Sequence, residues 1–224
     1  MKNSILAKQK RSVGVGNFIL QVGVIGSAGA EEYLKEWKPT VGLMKTARRI
    51  GQLLGEKGAT IITGGGGGIM SEVSKEGIKR DSITVGLFNN HHDRGVGDIY
   101  TVGLTTGMFE GGPEFLLPLC SDIIIAVSGG AGTLNELSVA YRNKVPVVLL
   151  KGYGGMVDKI IPLLHENKYL DERKRVQFFI ANSADEAVKI AIKEGDKRLR
   201  EIVKKGKTFY NKTNKFRTGL RYLS

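Results

Sequence analysis

Two stretches of this chain share one grammar: a short β-rich apolar run, then a cluster of glycines, then a segment with helical spacing. The first runs Ala59-Thr60-Ile61-Ile62-Thr63, then Gly64 through Gly68, then a helical pattern over 69–78. The second runs 123–127, then Ser128-Gly129-Gly130-Ala131-Gly132-Thr133, with a helical pattern over 133–144. A strand that feeds a helix and then another strand needs a crossover connection, which makes the two strands parallel and the crossover right-handed. The remaining chain repeats this pattern. Further strands are predicted over 18–26, 82–88, 99–104, 145–150 and 176–180. Further helices are predicted over 41–56, 114–120, 156–164 and 183–205, the last opened by the capping signature Ser183-Ala184-Asp185-Glu186. Near-continuous apolar strands belong to a parallel sheet covered on both faces.

The predicted fold class is therefore α/β: a Rossmann-like doubly wound parallel sheet with helices on both faces. In such sheets ligands bind beyond the carboxyl ends of the strands, where strand order reverses. Every glycine turn in the sequence falls at such an end. Glycine lets a ligand approach the backbone, and a helix start behind it presents unpaired N–H groups and the positive end of the helix dipole. Together these make a phosphate site. The residues predicted to bind a phosphate or nucleotide are Gly26 and Ser27 after the first strand, Gly64, Gly65, Gly66, Gly67 and Gly68 after the second, and Asn89 after the third. Thr106 and Gly107 follow the fourth strand, and Gly129, Gly130, Gly132 and Thr133 complete the set. No GxGxxG with a following acidic residue opens the first unit, and no GxxxxGK[ST] occurs, which argues against a standard NAD site and a P-loop NTPase.

The net charge of +12 lies at the ends: residues 1–11 carry about +4 and 187–224 about +9, so the glycine-rich body is near neutral. This divides the chain into a basic N-terminal segment (1–17), a nucleotide-binding domain (18–186) and a basic C-terminal helix and tail (187–224). No apolar run reaches the ~20 residues of a membrane span, and residues 1–11 lack a secretory h-region. The single cysteine, Cys120, excludes an intrachain disulfide, reads as a small buried hydrophobe, and fits a cytoplasmic protein.

The segments GGGGGIMSEVSKEG (64–77) and SGGAGTLNELSVAYRNKVPVVLL (128–150) resemble the SLOG superfamily. That group includes the LOG (Lonely Guy) phosphoribohydrolases, often misnamed lysine decarboxylases, the molybdenum cofactor carrier proteins and DNA-processing protein A. GVIGSA at 23–28, ITVGLF at 83–88 and the Thr106-Gly107 turn resemble the molybdenum-cofactor-carrier-like branch most closely. The resemblance covers about residues 22–158. It implies a homo-oligomer and, for the LOG motif PGGxGTxxE, a phosphate held by Gly129, Gly130, Gly132 and Thr133 with Glu136 as the provisional catalytic residue. Ser128 replaces the leading proline, and Gly112-Pro113 stand where relatives carry Arg-Asn.

Each candidate has a structural alternative. Thr133 and Glu136 could form a capping box, with Thr133 as N-cap and Glu136 reaching back to it; Glu136 could equally stabilise positive charge at a sugar ring. Five consecutive glycines exceed what a tight turn needs, which favours ligand approach. His91-His92-Asp93 lacks a third metal ligand at useful spacing and reads as a solvated loop, so no metal site is assigned. Glu110 and Glu114 are either a carboxylate pair near the site or helix-start acids. Tyr153 either stacks on a ligand ring or packs. Arg94 and Arg142 are the available substitutes for the missing arginine.

The expected function is a carrier or sensor that binds a nucleotide or a nucleotide-like, molybdopterin-type cofactor through its phosphate. The alternatives are a phosphoribohydrolase acting on nucleoside 5′-monophosphates and a nucleic-acid-associated protein using the basic tail.

Overall fold

The computed structural model describes residues 13–28, 42–90, 99–108 and 111–220, with side chains to 206. In chain order the elements are β1 (Gly14–Val15), β2 (Phe18–Ile19), β3 (Gln21–Gly26), α1 (Leu43–Glu56), β4 (Thr60–Thr63) and α2 (Ile69–Ile78). Then come β5 (Thr84–Phe88), β6 (Val102–Thr105), α3 (Gly112–Leu119), β7 (Ile123–Val127), α4 (Ala131–Arg142), β8 (Val147–Leu150), α5 (Gly155–Ile160), β9 (Phe178–Ala181) and α6 (Ala184–Leu220). Seven strands form one parallel sheet in the order β6-β5-β4-β3-β7-β8-β9. The chain steps outward from β3 to β6, then returns to the other side of β3 for β7, so the order reverses between β3 and β7. Val22 lies opposite Ile61 on one side and Ile123 on the other.

The sheet is buried on both faces. Val22, Val24, Ile123, Ile125 and Val127 pack under α1, α2 and α6. Ile25, Ile124, Ala126, Val147 and Leu149 pack under α3, α4 and α5. No residue of β7 is more than 1% exposed, which is why this strand is apolar at every position rather than at alternate ones. Fully burying each Ile or Val contributes roughly 1.5–3 kcal/mol. No helix among the described residues is long and apolar enough to cross a membrane.

Several local expectations change. The stretch 18–26 is not one strand. Phe18–Ile19 pairs antiparallel with Gly14–Val15 around Gly16, whose φ of 62° makes the tight turn, and only Gln21–Gly26 joins the main sheet. The last helix does not stop near 205 but continues to Leu220, because nothing between holds a proline to end it. Cys120 is exposed rather than buried, since α3 ends at Leu119 and Cys120 caps it outside the core.

The amino ends of β3 and β7 are pinned by α6. The Gln21 N–H donates to the Asp122 carboxylate at 2.9 Å. The Arg198 guanidinium donates to the carbonyls of Ser121 at 3.1 Å and Lys144 at 3.2 Å, and lies 3.7 Å from the Asp122 carboxylate. Burial pushes the Asp122 carboxyl up, opposed by the Gln21 N–H and Arg198. Replacing Arg198 by Met leaves these acceptors unpaired, at a cost of roughly 1–3 kcal/mol. Thermal unfolding should show a lower midpoint for Arg198→Met, with ligand binding at the opposite end of the sheet unchanged.

Candidate functional site

Four turns converge at the carboxyl end of the sheet around the β3–β7 reversal. Gly26 ends β3 so close to β7 that an added Cβ would lie 2.1 Å from the Val127 carbonyl. The Ser27 carbonyl accepts from the Ile69 N–H at 3.1 Å, tying the β3 turn to the start of α2. Gly68, at φ 61°, lies where a Cβ would meet the same Ser27 carbonyl at 2.5 Å. The other glycines of this run also face protein. Gly64 and Gly66 lie against Met70, Gly65 against Phe88, and Gly67 against the Ala28 carbonyl. Close packing of the β3 and β4 turns thus supplies a reason for glycine at Gly67 and Gly68, and Phe88 supplies one at Gly65.

The β7 turn differs. A Cβ on Gly130 would find no atom within 4 Å, and one on Gly132 only Glu114, at 3.6 Å. Gly130 precedes α4 without a capping side chain, so the first N–H groups of the helix, those of Ala131, Gly132 and Thr133, have no intrahelical acceptor. Ala131 and Gly132 are exposed, with the helix dipole behind them. Ser128 holds a φ of 60°, a left-handed value uncommon for any side-chain-bearing residue and closed to proline, whose ring fixes φ near about −65°. The conformation is held by the neighbouring turn: Val157 N–H donates to the Ser128 carbonyl at 3.1 Å and Met156 N–H to the Gly129 carbonyl at 2.7 Å. Gly155 makes this approach possible, since a Cβ there would lie 2.6 Å from both Gly129 O and Ser128 Oγ. The Ser128 hydroxyl is fully buried and has no hydrogen-bond partner. Asp158 braces the β8 turn by accepting from the N–H groups of Gly152 and Gly154.

The remaining sequence candidates spread along the same edge. Asn89 ends β5, three strands from β7 or about 14 Å at the usual strand spacing, and its buried Oδ1 has no partner. Thr106 is spent on the scaffold: its N–H and hydroxyl both donate to the Phe88 carbonyl, at 2.8 and 3.0 Å. Gly107 follows in the left-handed region at φ 65° with open space beside it. Tyr153 packs against the core and its hydroxyl pairs with Thr46 at 2.7 Å. Arg142 is the last residue of α4, some 16 Å along the helix from its start, so it cannot replace a cation at the turn. Arg94, Glu110 and the His91-His92-Asp93 loop lie outside the described residues. Among the described residues no group of three His, Cys, Asp or Glu could hold a metal ion.

Glu136 is the unusual group. The helix begins at Ala131, so Thr133 is its third residue and not its cap, and Glu136 forms no capping box. Thr133 is instead buried with its hydroxyl under Gly129. Glu136 is 7% exposed and receives no hydrogen bond from any described residue. Burial first, and the Glu114 carboxylate second, push its carboxyl well above the usual carboxylate range. Glu114 lies over Gly132 and accepts from the Gly111 N–H at 3.0 Å. Ser128, Gly155 and Asp158 were not predicted as site residues; the serine in the motif's proline position was the available signal.

The folded Glu136 carboxyl keeps its proton to higher pH than in the unfolded chain. Stability contributed by this group is therefore full at low pH and lost as pH rises from about 4.3 toward the raised folded value. A Glu136→Gln variant removes that titration. Its thermal midpoint relative to the parent should climb between pH 4.5 and pH 8; a constant difference across that range would contradict the assignment.

Comparison with known proteins fits this geometry. Residues 19–194 match the model of the SLOG cluster4 family. A protein of Archaeoglobus fulgidus with no characterised function is 29% identical over 133 residues, covering 59% of this chain and 81% of that one. The crystal structure of TM1055, a structural-genomics target, superposes with a TM-score of 0.70 at 30% identity, covering 77% of this chain and 98% of the other. The molybdenum cofactor binding protein of the phototrophic bacterium Rippkaea orientalis superposes with a TM-score of 0.58 at 26% identity, covering 76% and 94%. With the family model spanning most of the sequence and the reversal-point crevice in place, the chain belongs to the SLOG cluster4 family.

Proposed function

We propose that the protein binds a phosphate-bearing cofactor, of nucleotide or molybdopterin type, in the crevice between β3 and β7 and acts as a carrier or sensor. One observation carries this reading: the uncapped start of α4 opens on free space beside Gly130, directly above the strand-order reversal. The phosphate would rest on the N–H groups of Gly130, Ala131, Gly132 and Thr133. The partnerless Ser128 hydroxyl lies beneath this turn. The ring system would extend along the strand ends, past Gly26, Ser27 and the 64–68 turn, toward Asn89, whose orphaned Oδ1 is an acceptor for a ring N–H. Thr106 and Gly107 shape the far wall. The likeness to a molybdenum cofactor binding protein supports the molybdopterin alternative. When bound, such a group would supply its own metal chemistry, and the residues of this chain would bind and shield it. A homo-oligomeric, cytoplasmic protein whose 18–186 region holds the ligand is part of the same reading.

A second reading is a phosphoribohydrolase on nucleoside 5′-monophosphates, favoured by one feature: the proton-retaining Glu136 near the phosphate turn could protonate a leaving base. The carrier reading expects no free base when purified protein is incubated with 5′-monophosphates. Base release that disappears in Glu136→Ala would move the protein to the second reading.

Gly130 has open space at its Cβ, so Gly130→Asp adds a carboxylate at the proposed phosphate position; its backbone, at φ −124° and ψ −144°, lies outside the usual β region. The variant should fold with a somewhat lower midpoint and lose binding of 5′-monophosphates in titration calorimetry and any co-purified pterin. Undiminished binding would place the phosphate elsewhere.

A further inference from the structure

Among the described residues, no Lys or Arg lies on the turns that meet at the start of α4. No Lys or Arg occurs between Arg94 and Arg142, nor between Lys57 and Lys75, so the turns after β4, β6 and β7 hold none. Lys151, beside the β8 turn, is exposed to solvent. What faces the first turn of α4 is a pair of acids. Glu136 shares a helix face with Gly132, four residues back, and helical side chains lean toward the N-terminus. Glu114 covers that same Gly132, with Cγ and Oε1 both 3.6 Å from where a Cβ would be. The groups packed around α4 are few. α3 offers only Glu114, β3 offers no titratable side chain, and α5 offers Lys159 and Asp158, the latter turned to the Gly152 and Gly154 amides.

A phosphate dianion beside two ionised carboxylates would be repelled strongly in a half-buried site. Neutralisation needs either a cation or a proton. A hydrated divalent ion wants several oxygen ligands, and the described residues offer no cluster of three. Glu136 is 7% exposed and receives no hydrogen bond from the described residues, a setting that suits an uncharged carboxylic acid with one O–H to donate. We propose that Glu136, as a neutral carboxylic acid, is the hydrogen-bond donor that replaces a cation here, so that the site takes a phosphate-type dianion together with one proton. This rests on the phosphate-binding reading above and deepens it. Glu114 is the positioning residue: beside burial, its carboxylate favours the protonated form of Glu136.

The test is calorimetric titration with inorganic sulfate, whose charge does not change over pH 6–10, in parallel with AMP. In the parent, affinity for sulfate should be flat at low pH and fall about tenfold per pH unit on the alkaline side, the slope of one proton; AMP should show the same alkaline limb and weaken below about pH 6 as its phosphate takes up a proton. In Glu136→Gln the sulfate profile should be flat, with affinity near the parent's low-pH value. Glu114→Gln should move the parent's alkaline limb to lower pH, because a charge that favours the proton is gone; this arm remains if Glu136→Gln does not fold. A pH-independent parent that still binds AMP would overturn this inference and leave the phosphate reading standing. Recovery of alkaline binding on adding Mg²⁺ would give the acid pair to a metal and overturn it too. Failure of AMP and sulfate to bind at any pH would sink both.

Discussion

The pairing of β3 with β7 is the constraint on which the rest depends. Five residues of each strand lie in register, from Val22 opposite Ile123 to Gly26 opposite Val127. Both strands are buried on both faces, so their side chains alternate between two separate cores, one beneath α1, α2 and α6 and one beneath α3, α4 and α5. A one-residue slip would exchange those sets. The register therefore fixes where the β3 and β7 turns end relative to one another. Because the chain leaves β3 in one direction and β7 in the other, strand order reverses here, the place where such sheets commonly bind ligands.

Glycine serves two different purposes at this edge. In the 64–68 run it allows backbone to pass backbone and side chain, with the Ser27 and Ala28 carbonyls, Met70 and Phe88 occupying the space a Cβ would need. At Gly130 that space is empty. The dense turn is the floor that holds the β3 end in place, and the open turn is where α4 presents its amides. Between them Ser128 holds a left-handed backbone, imposed by two hydrogen bonds from the α5 turn. Strain of this kind costs of order 1–3 kcal/mol and persists where surrounding structure over-determines it.

A buried carboxyl is costly as an anion, and burial raises the proton affinity of Glu136. The acid at Glu114 adds to the effect instead of relieving it. A stability-optimised core would place Gln or Leu here. Two acids thus lie near the uncapped start of α4, a departure from ordinary packing of the kind functional sites commonly show.

The fold class was legible from sequence because each strand–glycine–helix unit carries its own local signal. Periodicity marks the helices, unbroken Ile and Val runs mark buried strands, and glycine marks the turns. Residues 123–127 and 69–78 needed nothing else. The small β1–β2 hairpin was hidden because its two-residue strands leave no periodicity, and the length of α6 because a polar helix running past the core has no apolar stripe to read. The site was legible as a set of turns but not as a division of labour among them. Composition cannot tell a glycine packed on a carbonyl from one facing open space, since the difference lies in atoms distant in sequence: Gly68 against Ser27, Gly155 against Ser128. Nor could the motif reveal that α4 starts at Ala131, which frees Glu136 from a capping role. The sequence by itself determined the elements, their parallel arrangement and the sheet edge where the glycine turns gather, because those follow from local propensity and burial pattern. Only the tertiary structure decided which glycine faces open space and which carboxyl is buried, because both depend on long-range packing.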